Sequence, residues 1–269
     1  MNTHSWMETD NHMQVDILAK RIAKEDYDFV GLQEVNQLMD SPLAELDEYF
    51  RPTIEQQAIR QDNFLFCLVK CLKDLGCNYY WSWSYNHIGY DIYHEGIGLL
   101  SKTPIESECY LISESSDPTD YHTRKVMIST TTVNDQKTFV ASAHFSWWQN
   151  DKKAFAYEWS IFEKILMEKQ GSLIIMGDFN NEAKRIGEGY DLVKNSSLGL
   201  YDAFILAKDR YGENTVEKEI DGWSGNDAKL RIDYIFVSDN YEVKSYHIVF
   251  DGNNESIISD HFGIEVEMD

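Results

Sequence analysis

The chain has 269 residues, 43% hydrophobic and 13% aromatic, which is enough for one large α/β domain with a sizeable core. Lys and Arg total 24 against 46 Asp and Glu, a formal charge of −22, so the surface repels bulk nucleic acid and anionic membranes at long range. No run approaches the ~18 apolar residues of a membrane span, and no export signal is visible.

In chain order, Asp10 or Asn11 caps an expected helix running to about Asp26, with Val15, Leu18 and Ile22 on one face. A strand from Asp28 to Leu32 ends at Gln33-Glu34. The stretch from Asn36 to Thr53 is polar, broken by Pro42 and Pro52. Ile54 to Leu75 reads as a second long helix stopped by Gly76, and Asn78 to Tyr85 as an aromatic strand. His87 to Glu95 reads as a loop, and Gly96 to Ser101 as a short strand. Lys125–Val133 and Thr138–His144 form a hairpin split by Asn134-Asp135. An amphipathic helix from Asp151 to Lys169 is closed by Gly171, and a strand follows over Leu173–Met176. Loops and short helices fill Asn181 to Ala228. Strands at Arg231–Val237, Tyr241–Phe250 and Gly263–Val266 finish the chain.

These groupings predict mixed sheets covered by helices rather than a repeating parallel series. Two segments resemble each other, Asp28 to Asn36 and Ser172 to Asn180, each a buried strand followed by an acid and an Asn. That repetition suggests a duplicated, two-sheet architecture. Cys67, Cys71, Cys77 and Cys109 form no Cys-x-x-Cys pair and read as reduced thiols of a cytoplasmic protein.

Acids at the ends of strands far apart in sequence converge only in a folded sheet, and a converging set repels itself unless a cation intervenes. Asp233 alternates onto the face of Ile235 and Val237. A carboxylate there is costly unless it is hydrogen-bonded, and His261 is the natural partner; the alternative is an edge strand whose Asp meets water. Asp178 and Asn180 follow four apolar residues. They make either a plain Asx turn or a catalytic one, with Asp178 taking a proton from water and Asn180 donating to a phosphate oxygen. Glu34 and Asp260 are hard oxygen ligands suited to Mg²⁺ or Mn²⁺, and no zinc-type His or Cys spacing competes with them. His144 ends an apolar run as either a structural or a site histidine. Neither a Gly-x-Ser-x-Gly elbow nor a phosphate-cradling Gly-x-x-x-x-Gly-Lys loop is present.

Taken in order, Asn2, Gln33-Glu34, Glu95 to Pro104, His144, Gly177-Asp178-Phe179-Asn180, Arg231-Ile232-Asp233-Tyr234 and Ser259-Asp260-His261 resemble the endonuclease/exonuclease/phosphatase superfamily. The resemblance implies a single domain over residues 1–269, a four-layer α/β sandwich of two central mixed β-sheets flanked by helices. It further implies that Glu34 and Asp260 hold Mg²⁺ and that Asp178 positions or deprotonates the attacking water. Asn2 and Asn180 would bind the phosphate, His261 held by Asp233 would stabilise its developing charge, and His144 would contact the same phosphate. Two departures stand out. The family places a strand before the first-motif Asn, whereas Met1 directly precedes Asn2, so either that strand is absent or the sequence begins after it. His4 stands where several branches carry an acid.

Arg124, Trp147 and Trp148 are the expected substrate contacts. With few basic residues near the motifs, the reading is an Mg²⁺-dependent phosphoesterase acting on a phosphodiester or phosphomonoester. A DNA or RNA nuclease is the near alternative, and a non-catalytic binding module on the same fold the remote one.

Overall fold

Asp10 starts the first helix, its carboxylate accepting from Met13 N at 3.0 Å, and Asp26 ends it in a left-handed conformation. The computed structural model describes residues 1–148, 154–220, 223, 225, 228–253 and 255–269. The helix α1 (Asn11–Glu25) leads into β1 (Phe29–Leu32), the short β2 (Gln37–Leu38) and α2 (Phe64–Asp74). A hairpin follows, β3 (Tyr80–Gly89) and β4 (Tyr93–Ser101), and then β5 (Glu106–Leu111), β6 (Lys125–Val133) and β7 (Gln136–His144). Next come α3 (Ala154–Met167), β8 (Ser172–Asp178), α4 (Gly189–Lys194), β9 (Tyr201–Asp202) and α5 (Ala203–Leu206). The last strands are β10 (Asp209–Tyr211), β11 (Asp233–Val237), β12 (Val243–Val249) and β13 (Gly263–Met268).

The protein is a four-layer α/β sandwich, and three apolar clusters fill its three interlayer spaces. In the first, Leu18, Ile22, Leu68 and Leu72 of α1 and α2 pack on Leu32, Trp81, Trp83 and Leu100 of the sheet β1, β2, β3 and β4. In the second, Ile97 and Leu99 of that sheet meet Val140, Ile174, Met176, Ile235 and Val237 of the six-stranded sheet β5-β6-β7-β8-β11-β9. In the third, Phe155, Trp159, Phe162 and Leu166 of α3 cover the outer face of the six-stranded sheet, on Ile128, Phe139, Ile175 and Phe236. The six-stranded sheet is mixed, with β7 and β8 parallel and its other pairs antiparallel. The sheet around β4 pairs antiparallel, and β10, β12 and β13 form a third, three-stranded sheet packed into the middle cluster through Tyr246 and Ile248. The two similar sequence segments lie in different sheets, as β1 and β8.

The structure corrects several boundaries. The second helix begins at Phe64 rather than Ile54, because Asn63 caps it through Phe66 N at 3.1 Å. The preceding segment is held instead by cross-loop bonds, Arg60 N to Gln37 Oε1 at 2.9 Å and Gln61 N to Pro42 O at 2.8 Å. The stretch from His87 to Glu95 is a hairpin tip, not a loop. It turns on Tyr90 and Asp91, both left-handed, directly after Gly89 ends β3, and no Asn-Gly pair announces the turn. The strand β5 is absent from the sequence reading because its Glu106 and Glu108 mask the alternation. The hairpin β6–β7 turns on left-handed Asn134 and Asp135 as the sequence indicates. The start of the third helix, residues 151–153, lies outside the described residues.

Candidate active site

Strand register builds the centre of the site. In the six-stranded sheet His144 of β7 pairs with Asp178 of β8, and Asp178 pairs with Asp233 of β11. Three functional side chains therefore stand in one row at the carboxyl ends of two parallel strands. Asp233 lies on the face of Ile235 and Val237, towards the space between the sheets. There its Oδ2 meets His261 Nδ1 at 2.9 Å, and both residues are buried. The costly carboxylate on an apolar face has the partner that alternation demanded.

The first sheet delivers the other half. The Gln33 amide donates to Ser142 Oγ of β7 at 3.1 Å, stitching the sheets together. Asn2 bridges alongside Gln33, and its Nδ2 donates to Glu34 Oε1 at 2.7 Å and to Asp178 Oδ2 at 3.2 Å. Its Oδ1 accepts from His4 N at 3.0 Å, so the Asn2 amide is saturated between the two carboxylates. Glu34 and Asn180 both have left-handed backbones, with φ of 52° and 50°. Neither is glycine, and strained residues of this kind cluster where geometry serves a site. The Asn180 turn is an Asx turn, with Asn180 N donating to Asp178 Oδ1 at 2.8 Å. The Asn180 amide is clamped in turn: Nδ2 donates to Phe145 O at 3.0 Å and Oδ1 accepts from Trp223 Nε1 at 3.2 Å.

Electrostatics sharpen this arrangement. Burial, and then the charge of Asp233, push the Asp178 carboxyl up to about 7. Burial pulls the His261 imidazole down, but Asp233 and Asp178 outweigh it and raise the group to about 10. His144 is held well below the ordinary histidine value, first by burial and then by Arg124, so it stands neutral.

Among the described residues two groups of side chains place ligand atoms within 4.8 Å of one another, His4 with Glu8 and Asp260, and Asp178 with Asp233 and His261. In the second, the Asp233–His261 hydrogen bond already engages two of the three members. The better fit to a hard divalent cation is the side of the site carrying Glu34 and Asp260. Burial first, and the Asp260 charge next, push the Glu34 carboxyl upwards, so the two acids lie near enough to repel each other. His4 adds a nitrogen, its Nδ1 3.8 Å from Asp260 Oδ2 and 2.9 Å from Glu8 Oε1.

A cleft of about 900 Å³ opens over this centre, within the range of small-molecule sites. Among the sequence candidates, Glu34, Asp178, Asn180, Asp260, His261, His144, Arg124, Trp147 and Trp148 all line it, while Asn2 and Asp233 support it from beneath. Sequence reasoning missed His87, Tyr121, His122 and Trp223, which also line it, and counted Glu95 in a matched motif without giving it a role. The alternation from Asn78 to Tyr85 gives no pointer to His87, because a bulge between Tyr85 and His87 shifts the register; Trp223 sits in a loop with no periodic signal.

The sequence pattern of the endonuclease/exonuclease/phosphatase family matches residues 6–261. A solved endonuclease/exonuclease/phosphatase family protein from Leptotrichia buccalis C-1013-b is 31% identical. It superposes with a TM-score of 0.85 over 100% of this chain and 97% of its own. The mannosyl-6-phosphatase Bt3783 of Bacteroides thetaiotaomicron VPI-5482 is 18% identical, with a TM-score of 0.66 over 100% of this chain and 97% of its own. Truncated Caenorhabditis elegans TDP2 is 17% identical, with a TM-score of 0.59 over 94% and 88%. The latter two share the fold. No curated protein matches the chain.

Proposed function

The chain belongs to the endonuclease/exonuclease/phosphatase family, whose members hydrolyse phosphate esters, and from that premise we propose a divalent-metal-dependent phosphoesterase that directs water at phosphorus. The observation that carries this reading is the buried row His144, Asp178 and Asp233, closed by the Asp233–His261 bond and joined through Asn2 to Glu34. Glu34 and Asp260 would hold Mg²⁺, with Mn²⁺ as a substitute that the neighbouring His4 nitrogen favours. When bound, the ion supplies polarisation of the phosphate oxygens and offsets charge on the leaving oxygen.

The chain's own groups do the rest. Asp178, raised towards neutrality, orients the attacking water and takes its proton. Asn2 keeps Glu34 and Asp178 apart and aligned, with its amide nitrogen committed to both. His261, held by Asp233 at Nδ1, presents Nε2 to the charge that develops on the phosphate, 3.7 Å from Asp178 Oδ2. Asn180 donates from the opposite side. One domain over residues 1–269 contains the whole site. Net charge of −22 and a cleft with two lining arginines, Arg124 and Arg185, favour a small ester over long nucleic acid. Among the described residues no helix is long and apolar enough to cross a membrane. Four free thiols support a cytoplasmic setting.

The test is hydrolysis of p-nitrophenyl phosphate and bis-p-nitrophenyl phosphate with Mg²⁺, Mn²⁺ or EDTA, beside Asp178→Asn and His261→Ala. Turnover is expected to need the metal and to vanish in both variants while each stays folded. Near-normal rates in either variant would refute the assignment.

A further inference from the structure

Among the described residues four histidines line the cleft, His87, His122, His144 and His261, and His122 is set apart from the rest. Burial, and then Arg124, pull the His87 imidazole down to about 3, so its ring is neutral. His144 is neutral for the same two reasons. His261 is charged, because Asp233 and Asp178 outweigh burial, but a group raised to about 10 gives up its proton reluctantly. His122 meets solvent instead: its side chain is 38% exposed, and its carboxylate partner, Asp120, belongs to the same loop.

That loop, between β5 and β6, is tightly built. Asp120 N donates to Asp117 O at 3.0 Å and Thr123 N to Asp120 O at 2.9 Å, while Ile88 N donates to Pro118 O at 2.7 Å and fastens the loop to β3. Asp120 Oδ1 then accepts twice from one residue, from His122 N and from His122 Nδ1, both at 2.9 Å. Burial raises the Asp120 carboxyl, but hydrogen bonds from His122 N, Ser115 and the His122 ring outweigh it and hold the group at about 2. An Asx turn needs only the first of the two bonds from His122. The second fixes the ring: a carboxylate only accepts, so Nδ1 carries its hydrogen, and Nε2 is the nitrogen left to meet a ligand. The Tyr121 ring lies against the imidazole, its centroid 3.9 Å away and its plane tilted by 34°. Together Asp120 and Tyr121 take from an exposed histidine the rotamer freedom that it would otherwise keep.

We propose that His122, oriented by Asp120, is the general acid that protonates the leaving oxygen, and that the substrate is the phosphate ester of an alkyl alcohol. The inference rests on the phosphoesterase reading and deepens it. As the bond from the water oxygen to phosphorus forms, Asp178 takes the water's proton. As the bond from phosphorus to the leaving oxygen breaks, that oxygen takes the proton of His122 Nε2. The free alcohol and the phosphate depart, the exposed imidazole takes a proton back from solvent, and Asp178 releases one. An alkoxide is too basic to leave without such a proton, whereas an activated aryl oxide departs unaided. A histidine held in place on this wall therefore serves an alkyl ester.

The test measures kcat/KM with Mg²⁺ for phosphate esters of ethanol, phenol, p-nitrophenol and dinitrophenol, each as monoester and methyl diester, in wild type, His122→Ala and Asp120→Asn. In His122→Ala the ethyl ester should lose about 100-fold, the scale of a general acid, and the loss should shrink steadily towards the dinitrophenyl ester. Imidazole added to the solution should restore part of the ethyl-ester rate. Asp120→Asn should show the same trend with a smaller amplitude, because the ring keeps its acid but loses its orientation. A histidine that only shapes the loop would lower every ester by one factor. Equal losses across the series, or none, would overturn the inference and leave the hydrolase reading standing. A wild type that turns over no ester with Mg²⁺ or Mn²⁺ would overturn the hydrolase reading and the inference with it.

Discussion

Gly177 is the residue on which the register of the site depends, and replacing it with Ala makes a sharp test. It lies in β8, directly beside Ala143 of the parallel neighbour β7, one residue before the His144–Asp178 pair. A Cβ at Gly177 would press into the Ala143 carbonyl oxygen, and would lie 2.9 Å from the carbonyl carbon and 3.2 Å from Ala143 Cα. All three atoms are backbone, so no side chain can turn away. The strands must part by on the order of 1 Å, and overpacking of that kind costs roughly 1–3 kcal/mol or more. A displacement near 1 Å at the row His144, Asp178 and Asp233 should also lower kcat by about 100-fold. Urea melts followed by circular dichroism would measure the first effect, and ester hydrolysis at saturating metal the second. Gly31→Ala is the control, since its Cβ would approach no atom closer than 3.1 Å, at Met176 Cβ, a contact that a shift of a few tenths of an ångström relieves. If Gly177→Ala were as stable and active as Gly31→Ala, register would not be what holds the site.

Asp202→Asn should destabilise the fold by about 3–5 kcal/mol, because it strands the Arg231 guanidinium among the Tyr190, Phe204 and Tyr234 rings; a denaturant midpoint within error of wild type would contradict this. At the other end of the molecule Arg21 clasps Glu255 and Glu265 at 2.5 and 2.6 Å, tying α1 to β13. Burial raises the Glu265 carboxyl, but hydrogen bonds from Tyr27 and Arg21 outweigh it and hold the group below its ordinary 4.5. A depressed carboxylate stabilises the fold above the unfolded value and loses that contribution as pH falls through the folded one. Glu265→Gln should therefore be less stable than wild type by about 1–3 kcal/mol at pH 7, with the gap closing below about pH 4.5. A gap that stays constant across that range would show that the clasp is not ionic.

The readable parts of the sequence are those where one strand's own pattern carries the information. Alternation through β11 puts Asp233 on the apolar face, and the cost of a carboxylate there is enough to call for His261. The turn at Asn134-Asp135 is legible because both residues tolerate left-handed backbone. Ile54 to Leu75 misleads because its apolar spacing is helical, while the bonds that hold residues up to Asn63 in another conformation come from Gln37 and Pro42, far away in sequence. The hairpin tip puts Tyr90 and Asp91, behind Gly89, in left-handed backbone without an Asn-Gly signal, so the strand that carries His87 along the site's other wall stays hidden.

Arg124 marks where sequence reasoning stops, for a physical reason. Its residue type and its proximity to the motifs are visible in the sequence and suffice to make it an expected substrate contact. What sets it apart is a property of packing: Arg231 has the same residue type and the same burial, yet Asp202 meets it from β9, whereas among the described residues no carboxylate lies within 4.0 Å of the Arg124 guanidinium. Sequence periodicity reports which face a side chain occupies, whereas which charges reach that face depends on register between strands. In this fold the parallel pair β7 and β8 sets that register by a backbone approach only glycine permits at position 177. The site's rigidity therefore draws on that approach, and Gly177→Ala should disturb every ester alike, because it displaces the whole row His144, Asp178 and Asp233 rather than one contact to the substrate.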